Sequence, residues 1–599
     1  MKLKENPIVY LGEKLWKYSE GNRRMVVLYL VMTWLSNLAH LCIPLIVVLL
    51  SNELQTNGVT EGNFYYLLFL SSLFIVRNLV GWSLHGPSRI IEERNGFKNR
   101  ADYKFGLLRG VAGLPISWHN EHHSGDTGDK IEKGGNGLSG FASNTFRVVI
   151  VANSMVVSFF ILLFFDPGAG FIALFMMALT IFVIERFDRK LVEYYRILNR
   201  AENKIHEKIM DVIANINTVK ILGIEKLLLS SVHDEMWKPF KLFKKTNVTN
   251  EFKWFFASLC TNIMVFLILA YHFWGRLYWE LPILLGTFYA LYGYAMQVAD
   301  CFFELAGFYG DVLRWRAGVT NSEELASEFK PQKNGNNGNN KYQNWKNLKI
   351  ESLNFSYHTK DGADLHLEDV WFEATRGEKI ALIGYTGSGK STLLAIIKQL
   401  FEPQGSRFYL DFKLIKEGLA AIKSQVALVP QDPDIFAKSI YENISFGDYD
   451  METVKKYADM ACFTDVAEKL PKSWDSIINE RGVNLSGGEK QRLALARGLL
   501  FACEDKLEPK SIVLLDEPTS SVDVSTELQI HKNIFKALSG KTIISSVHRL
   551  HLLPMFDRIY FFENGRVIAI GTFDELLKNS NEFSAIWSKY NSVLSKAAE

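Results

Sequence analysis

Gly384-Tyr-Thr-Gly-Ser-Gly-Lys390-Ser391-Thr392 is the stretch around which this chain is organised. Apolar Ile380-Ala-Leu-Ile383 runs into it as a buried strand, and Leu393-Leu-Ala-Ile-Ile397 leaves it as a helix. A glycine-rich turn between strand and helix presents successive backbone N–H groups at a helix N-terminus, where the dipole favours an anion. Lys390 is spaced to reach β- and γ-phosphates, and the Ser391 hydroxyl to ligate Mg²⁺. The strand before it and the helix after it supply the context that makes this a P-loop.

At 599 residues the chain is too long for one core. A net charge of +2 gives no electrostatic case for a nucleic-acid partner. The hydrophobic fraction of 48% is unevenly spread, with apolar runs crowding the first half and charges the second. That asymmetry predicts a membrane domain followed by a soluble one. Cys42, Cys260, Cys301, Cys462 and Cys503 have neither CxxC nor Cys/His spacing, which argues against a disulfide framework and a zinc site. The N-terminus carries no short apolar core with a small-residue cleavage site.

Residues 1–24 mix apolar and charged residues at helical spacing, as an interfacial helix would; a solvated N-terminus is the alternative. Six apolar segments follow, near 25–50, 63–86, 148–165, 168–187, 254–274 and 282–304. Each is long enough to cross about 30 Å of hydrocarbon. The connections 51–62 and 166–170 lack Lys and Arg, whereas 87–147 and 188–253 are rich in them. The positive-inside rule therefore places the two long connections and both termini in the cytoplasm. Connections of that length are expected to be helices continuing past the bilayer.

Asn37, His40, Arg77, Asn78, Asn153, Asp300 and Glu304 fall within or near the spans. Counted from the outer ends, Arg77 lies about 21 Å deep and Asp300 about 27 Å. One reading pairs Arg77 with Asp300 or Glu304 in a cavity, or sets them against an amphipathic substrate. The other places them at the inner interface.

Pro331-Gln-Lys-Asn-Gly-Asn-Asn-Gly-Asn-Asn-Lys341 is polar and low in complexity, a flexible tether. A new domain begins near Asn347, where Leu348-Lys-Ile-Glu-Ser-Leu-Asn-Phe-Ser-Tyr357 alternates like a strand. Ile512-Val-Leu-Leu-Asp516-Glu517 is an apolar strand ending in two carboxylates. Asp516 suits a metal-holding Walker B position, and Glu517 is placed to polarise an attacking water. Gln431, in Val429-Pro-Gln-Asp-Pro, follows a strand and can reach Mg²⁺ and that water. His548 follows the strand Thr542-Ile-Ile-Ser545 in the same manner.

Leu485-Ser486-Gly487-Gly488-Glu489-Lys-Gln-Arg492 then opens the helical Leu-Ala-Leu-Ala-Arg, a second anion-binding helix start. Two phosphate-binding helix ends with one Walker B strand suggest a sandwich, with ATP held between the P-loop of one domain and this segment of another. Nearly the whole chain resembles the ABC transporter superfamily, specifically exporter-type half-transporters with six spans and one nucleotide-binding domain. The resemblance implies that Tyr357 stacks on adenine and that Gly384, Tyr385, Thr386, Gly387, Ser388, Gly389, Lys390, Ser391 and Thr392 cradle the phosphates. It implies a Q-loop at Gln431, an X-loop at Glu480, a D-loop at Asp523 and a switch histidine at His548. It further implies that Ser486, Gly487 and Gly488 contact ATP bound to the other protomer. In the first half, Leu114 to Gly125 and Ile216 to Glu225 resemble the coupling regions of these exporters. Two departures stand out: Ser520-Ser-Val-Asp523 where Ser-Ala-Leu-Asp is commoner, and a long, charged segment Phe501 to Lys510, expected as a surface loop.

The expected architecture is a multidomain membrane protein. A six-helix all-α transmembrane domain with long cytoplasmic extensions spans 1–325, and a linker spans 326–346. An α/β P-loop (RecA-like) nucleotide-binding domain with a helical subdomain spans 347–599. Catalysis is assigned to Glu517, His548, Gln431 and Lys390, and Mg²⁺ to Ser391, Gln431 and Asp516. Since one chain cannot close an ATP site, a dimer is expected. Intact catalytic positions favour a homodimer over a heterodimer. The expected function is ATP-driven export or flipping of an amphipathic small molecule or lipid in a bacterial inner membrane, without nucleic acid. The alternatives are an exporter-fold importer of a metal chelate and a non-transporting ABC ATPase.

Overall fold

The computed structural model describes residues 6–280, 282–329, 342–356, 366–403, 405–478, 485–504 and 510–598. Tyr357, Glu480 and the predicted tether 331–341 lie outside them. The chain divides into two compact units, residues 1–113 with 123–330, and residues 114–122 with 331–599.

The first unit is helical. Its helices are α1 (Pro7–Tyr18), α2 (Arg23–Leu41), α3 (Ile43–Asn57) and α4 (Phe64–Ala112). The short α5 (Ile116–Glu121) belongs to the second unit. Then follow α6 (Ser124–Ala142), α7 (Thr145–Phe165), α8 (Pro167–Ala214), α9 (Ile216–Leu222), α10 (Glu225–Trp237), α11 (Phe240–Tyr278) and α12 (Leu285–Ser327). The N-terminal helix forms as its sequence predicts. Asn6 accepts from the backbone of Ile8 at 2.9 Å, Pro7 occupies the first turn, and Leu11 and Leu15 are buried.

The predicted span 25–50 is two helices, because the chain turns at Cys42 and Pro44 lies in the first turn of α3. The other long helices overrun their spans, as the basic connections require. The 49 residues of α4 extend about 73 Å, more than twice the hydrocarbon thickness. Five stretches of the described residues are long and apolar enough to cross a membrane, within 23–57, 64–112, 124–165, 167–214 and 225–278. The sixth predicted span lies on α12, which is less apolar because Tyr289, Tyr292, Tyr294, Gln297 and Asp300 fall within it. One of these, Tyr294, is buried and donates to the Leu41 carbonyl at 2.8 Å.

Small residues let α6 and α12 approach closely. A Cβ on Gly137 would sit 2.6 Å from the Trp315 carbonyl oxygen, and one on Gly318 would sit 2.6 Å from that of Lys133. Polar groups inside the bundle find partners. Asn37 accepts from Asn153 at 2.6 Å and from Ser154 at 3.2 Å. Buried His272 lies 3.1 Å from Asp166, whose carboxylate also caps α8. The pairing of Arg77 with Asp300 or Glu304 is not what the structure shows. Arg77 bonds His40 and the Ala39 carbonyl, because α4 packs along α2. Glu304 instead lies 3.4 Å from Arg147.

The second unit holds two sheets. Strands β1 (Asn347–Ser356), β2 (His366–Thr375), β4 (Arg407–Leu410) and β5 (Lys413–Leu414) form an antiparallel sheet in the order β2-β1-β4-β5. Strands β3 (Lys379–Gly384), β6 (Val426–Val429), β7 (Ile512–Asp516), β8 (Thr542–Ser546), β9 (Arg558–Glu563) and β10 (Arg566–Gly571) form the other, in the order β10-β9-β3-β8-β7-β6. Pairing is parallel from β9 to β6, and β10 adds an antiparallel edge. The continuous apolar runs of β3, β7 and β8 are explained by burial on both faces.

Helix α13 (Lys390–Ile397) follows β3. Helices α14 (Ile440–Ser445), α15 (Met451–Met460), α16 (Thr464–Lys469) and α17 (Gly487–Glu504) intervene between β6 and β7. They pack with the sheet through a core that includes Tyr457, Phe463, Leu495 and Leu499. Helix α17 continues to Glu504, so the expected loop after Phe501 is helical over its first four residues. The unit closes with α18 (Val524–Ala537), α19 (Phe573–Asn579) and α20 (Asn581–Ala598).

Candidate functional site

Four parallel strands deliver the candidate residues to one edge of the sheet. β3 ends at Gly384, β6 leads to Gln431, β7 ends at Asp516 before Glu517, and β8 leads through Ser546 to His548. The carboxyl ends of parallel strands are where doubly wound sheets bind ligands. The turn from β3 into α13 requires its glycines. Gly384 has φ 145° and a Cβ there would sit 2.2 Å from the Phe562 carbonyl oxygen, so the adjacent strand leaves no space. Gly389, at φ 102°, caps α13 in the left-handed region.

A cavity of about 330 Å³ opens at this edge. Residues 386–392 line it together with Gln431, Glu517, Ser546 and His548. Within it the Lys390 ammonium curls back to donate to the carbonyls of Gly384 and Tyr385, both at 3.0 Å. Burial holds its pKa below the usual lysine value, partly offset by the nearby carboxylates of Glu517 and Asp516. A desolvated ammonium facing an open cavity is suited to an anion.

Ser391 Oγ donates to Asp516 Oδ1 at 2.9 Å, and Ser546 Oγ donates to the same oxygen at 2.6 Å. The hydroxyl and carboxylate are hard oxygen donors side by side, which fits Mg²⁺. Few protein ligands are required of a Mg²⁺ that shares phosphate oxygens, and the described residues contain no cluster of three or more His, Cys, Asp or Glu ligands. Gln431, expected beside the metal, turns its amide nitrogen to Glu517 Oε2 at 2.8 Å.

The other oxygen of Glu517, Oε1, lies 2.5 Å from His548 Nε2. The backbone N–H of Glu517 donates to Ser546 Oγ at 2.9 Å, and the residue itself adopts φ 45°. A non-glycine residue in that region stores strain of order 1–3 kcal/mol, which such sites retain when neighbours over-determine the conformation. The carboxylate is thus fixed in direction and largely sheltered. Such a group can accept a proton from a water lying in the cavity.

The second helix start is elsewhere. Ser486 and Glu489 cap α17 reciprocally, with Ser486 N donating to Glu489 Oε2 at 2.7 Å and Glu489 N to Ser486 Oγ at 3.3 Å. A Cβ on Gly488 would lie 2.6 Å from the Ser521 carbonyl oxygen, so this helix start abuts the turn after Glu517. Ser486, Gly487 and Gly488 do not line the P-loop cavity. Asp523 serves as the N-cap of α18, accepting from Thr526 N at 3.0 Å and Ser525 Oγ at 2.6 Å. The Ser525 hydroxyl bond, with the Thr526 amide, holds its pKa well below the usual carboxylate range.

Sequence reasoning missed two residues. Ser546 joins the Asp516 carboxylate to the Glu517 backbone N–H, and Gln491 lies buried in the motif around Ser486. The position of Ser546 at the end of an apolar strand, two residues before His548, was the available signal.

Two family models match: the ABC transporter model over residues 367–520 and the ABC transporter transmembrane region over residues 26–278. The chain is 28% identical to the mitochondrial iron-sulfur clusters transporter ATM1 of Kluyveromyces lactis, over 79% of this chain and 66% of that protein. It is 25% identical to the ABC transporter ATP-binding protein YknU of Bacillus subtilis, over 82% of this chain and 83% of that one. It spans only 35% of ABC transporter B family member 24 of Arabidopsis thaliana, at 35% identity. In fold it matches a bacterial Atm1-family ABC exporter with ATP bound at a TM-score of 0.80 and 21% identity, covering 95% of this chain and 98% of that one. The chain belongs to the ABC transporter superfamily, with a transmembrane region followed by an ATP-binding cassette.

Proposed function

We propose that two copies of this chain form an ATP-driven exporter or flippase for an amphipathic small molecule or lipid. The observation that carries this is the separation of two anion sites. Lys390, Ser391, Gln431, Glu517 and His548 line one cavity, with Asp516 hydrogen-bonded to Ser391 beside it, while the Ser486–Gly488 helix start lies outside it. A second copy would supply that helix start to complete the enclosure of ATP. A homodimer is favoured because every motif position is occupied by the residue the chemistry requires.

In this reading residues 384–392 and Lys390 hold the triphosphate, and Tyr357 stacks on the base. Ser391 and Asp516 hold Mg²⁺, which when bound neutralises charge on the transferring phosphoryl group. Glu517 accepts the proton of the attacking water, with His548 and Gln431 fixing its two oxygens. Closure of the two cassettes around ATP drives the spans between inward- and outward-facing states. The chain lies in a bacterial inner membrane with both termini in the cytoplasm, as the distribution of Lys and Arg between connections suggests.

The chain is similar to relatives named for iron–sulfur clusters, glucan and multidrug resistance. Their names differ in cargo, so similarity alone does not choose one for this chain. The test is reconstitution of the chain in liposomes, with ATPase stimulation and flux measured across lipids, drugs, peptides and metal–thiolate chelates. Movement of a stimulating compound away from the nucleotide-bearing side supports export. Movement toward that side indicates the importer alternative instead.

A further inference from the structure

Gln491 stands one turn into α17, in the same motif as Ser486, with its side chain buried. Its amide makes three hydrogen bonds to two different loops. Nε2 donates to Ser520 Oγ at 2.8 Å and to the Gln431 carbonyl at 3.4 Å. Oε1 accepts from the Ser521 backbone N–H at 2.9 Å. A backbone carbonyl on one side and a backbone N–H on the other fix which end of the amide is which.

These bonds close a ring around Glu517. From Gln491 the ring passes to the backbone of Gln431, whose side chain donates to Glu517 Oε2 at 2.8 Å. From Glu517 it returns through its own carbonyl, which accepts from Ser520 N at 3.3 Å. Helix α17, the Gln431 loop and the turn after Glu517 are thereby tied at one side chain, beside the residue whose backbone is held at φ 45°. No apolar side chain of that shape could hold both a donor and an acceptor, and a buried amide left half bonded costs more than one removed.

The geometry points to Gln491 as a positioning residue for ATP hydrolysis, setting the direction of the Glu517 carboxylate through Gln431 and Ser520 without touching nucleotide. It rests on hydrolysis being the reaction of this site. The test compares full-length wild-type chain with Gln491→Met, which keeps the volume, and Gln491→Glu, which keeps the shape but replaces the donor with a carboxylate. Gln491→Met is expected to lower kcat about tenfold while leaving KM for ATP and the nucleotide-induced rise in Tm within about twofold of wild type. The Gln491→Glu chain regains a donor when its carboxyl is protonated. Its kcat relative to wild type is therefore expected to rise as pH falls from about 8 to about 6.

Wild-type kcat in Gln491→Met overturns the assignment, as does a fall in kcat matched by an equal loss of nucleotide binding. Should Gln491→Met fail to fold, a Gln491→Glu to wild-type ratio that is flat with pH overturns it. Absence of turnover in the wild-type chain refutes the hydrolytic reading itself, and the assignment with it.

Discussion

His548 Nε2 lies 2.5 Å from Glu517 Oε1, although the two residues stand at the ends of different strands. With Gln431 on the other oxygen, the carboxylate has one orientation. Parallel pairing of β7 with β8, which sets Asp516 opposite Ser546, is what places the two residues side by side.

Replacing the base should separate binding from chemistry. Glu517→Gln is expected to keep ATP affinity within about twofold and to lower kcat by at least about 100-fold, the smallest usual contribution of a general base. Phosphate release and equilibrium nucleotide binding, measured on the same preparation, check it. Near-normal turnover would show that another group takes the proton.

In the proposed function His548 acts through Glu517, and on that reading its loss should not add to the loss of the base. His548→Ala is expected to lower kcat about tenfold or more in the wild-type background. Combined with Glu517→Gln, it should change kcat by less than about twofold. A product of the two single effects in the double variant would separate their roles.

Ser391 and Asp516 share one hydrogen bond where the metal is expected. Ser391→Ala and Asp516→Asn should each raise the Mg²⁺ concentration that half-saturates hydrolysis, by about tenfold. Binding of ATP in EDTA should be unchanged. Equal loss of metal-free binding would mean these residues hold nucleotide directly.

Much of the second half was legible because its motifs lie at ends of short apolar strands, where identity and spacing carry the chemistry. Gly384 to Thr392, Asp516, Glu517 and His548 are of this kind. Gln491 and Ser546 were not, because a buried side chain's partners depend on which loops the fold brings to it. In the first half, apolar length marked the spans, while the break at Cys42 and Pro44 was passed over inside one continuous run. The Arg77 pairing failed for a similar reason. Depth along a span ranks residues by height, but only helix packing decides which of them face each other.

The buried ammonium of Lys390 should weigh on the nucleotide-free protein. A lysine pKa lowered by burial marks a charged form that costs stability at neutral pH, well below its titration, and that cost disappears with the ammonium. Lys390→Met is therefore expected to leave the nucleotide-free Tm within about 2 °C of wild type, or to raise it. The same change should abolish the rise in Tm caused by ATP. A large drop in the nucleotide-free Tm would mean that the bonds to Gly384 and Tyr385 outweigh the burial cost.

The most direct test of a composite site formed by two copies is to mix two inactive chains. Lys390→Met disables the P-loop and Ser486→Arg the second helix start, and each alone should lack ATPase activity. If sites form between copies, a mixed dimer contains one site in which both parts are intact. Co-assembly at equal amounts should then recover about one quarter of wild-type activity, since about half the dimers are mixed and each has one of two sites. Activity no greater than that of either variant alone would contradict the account.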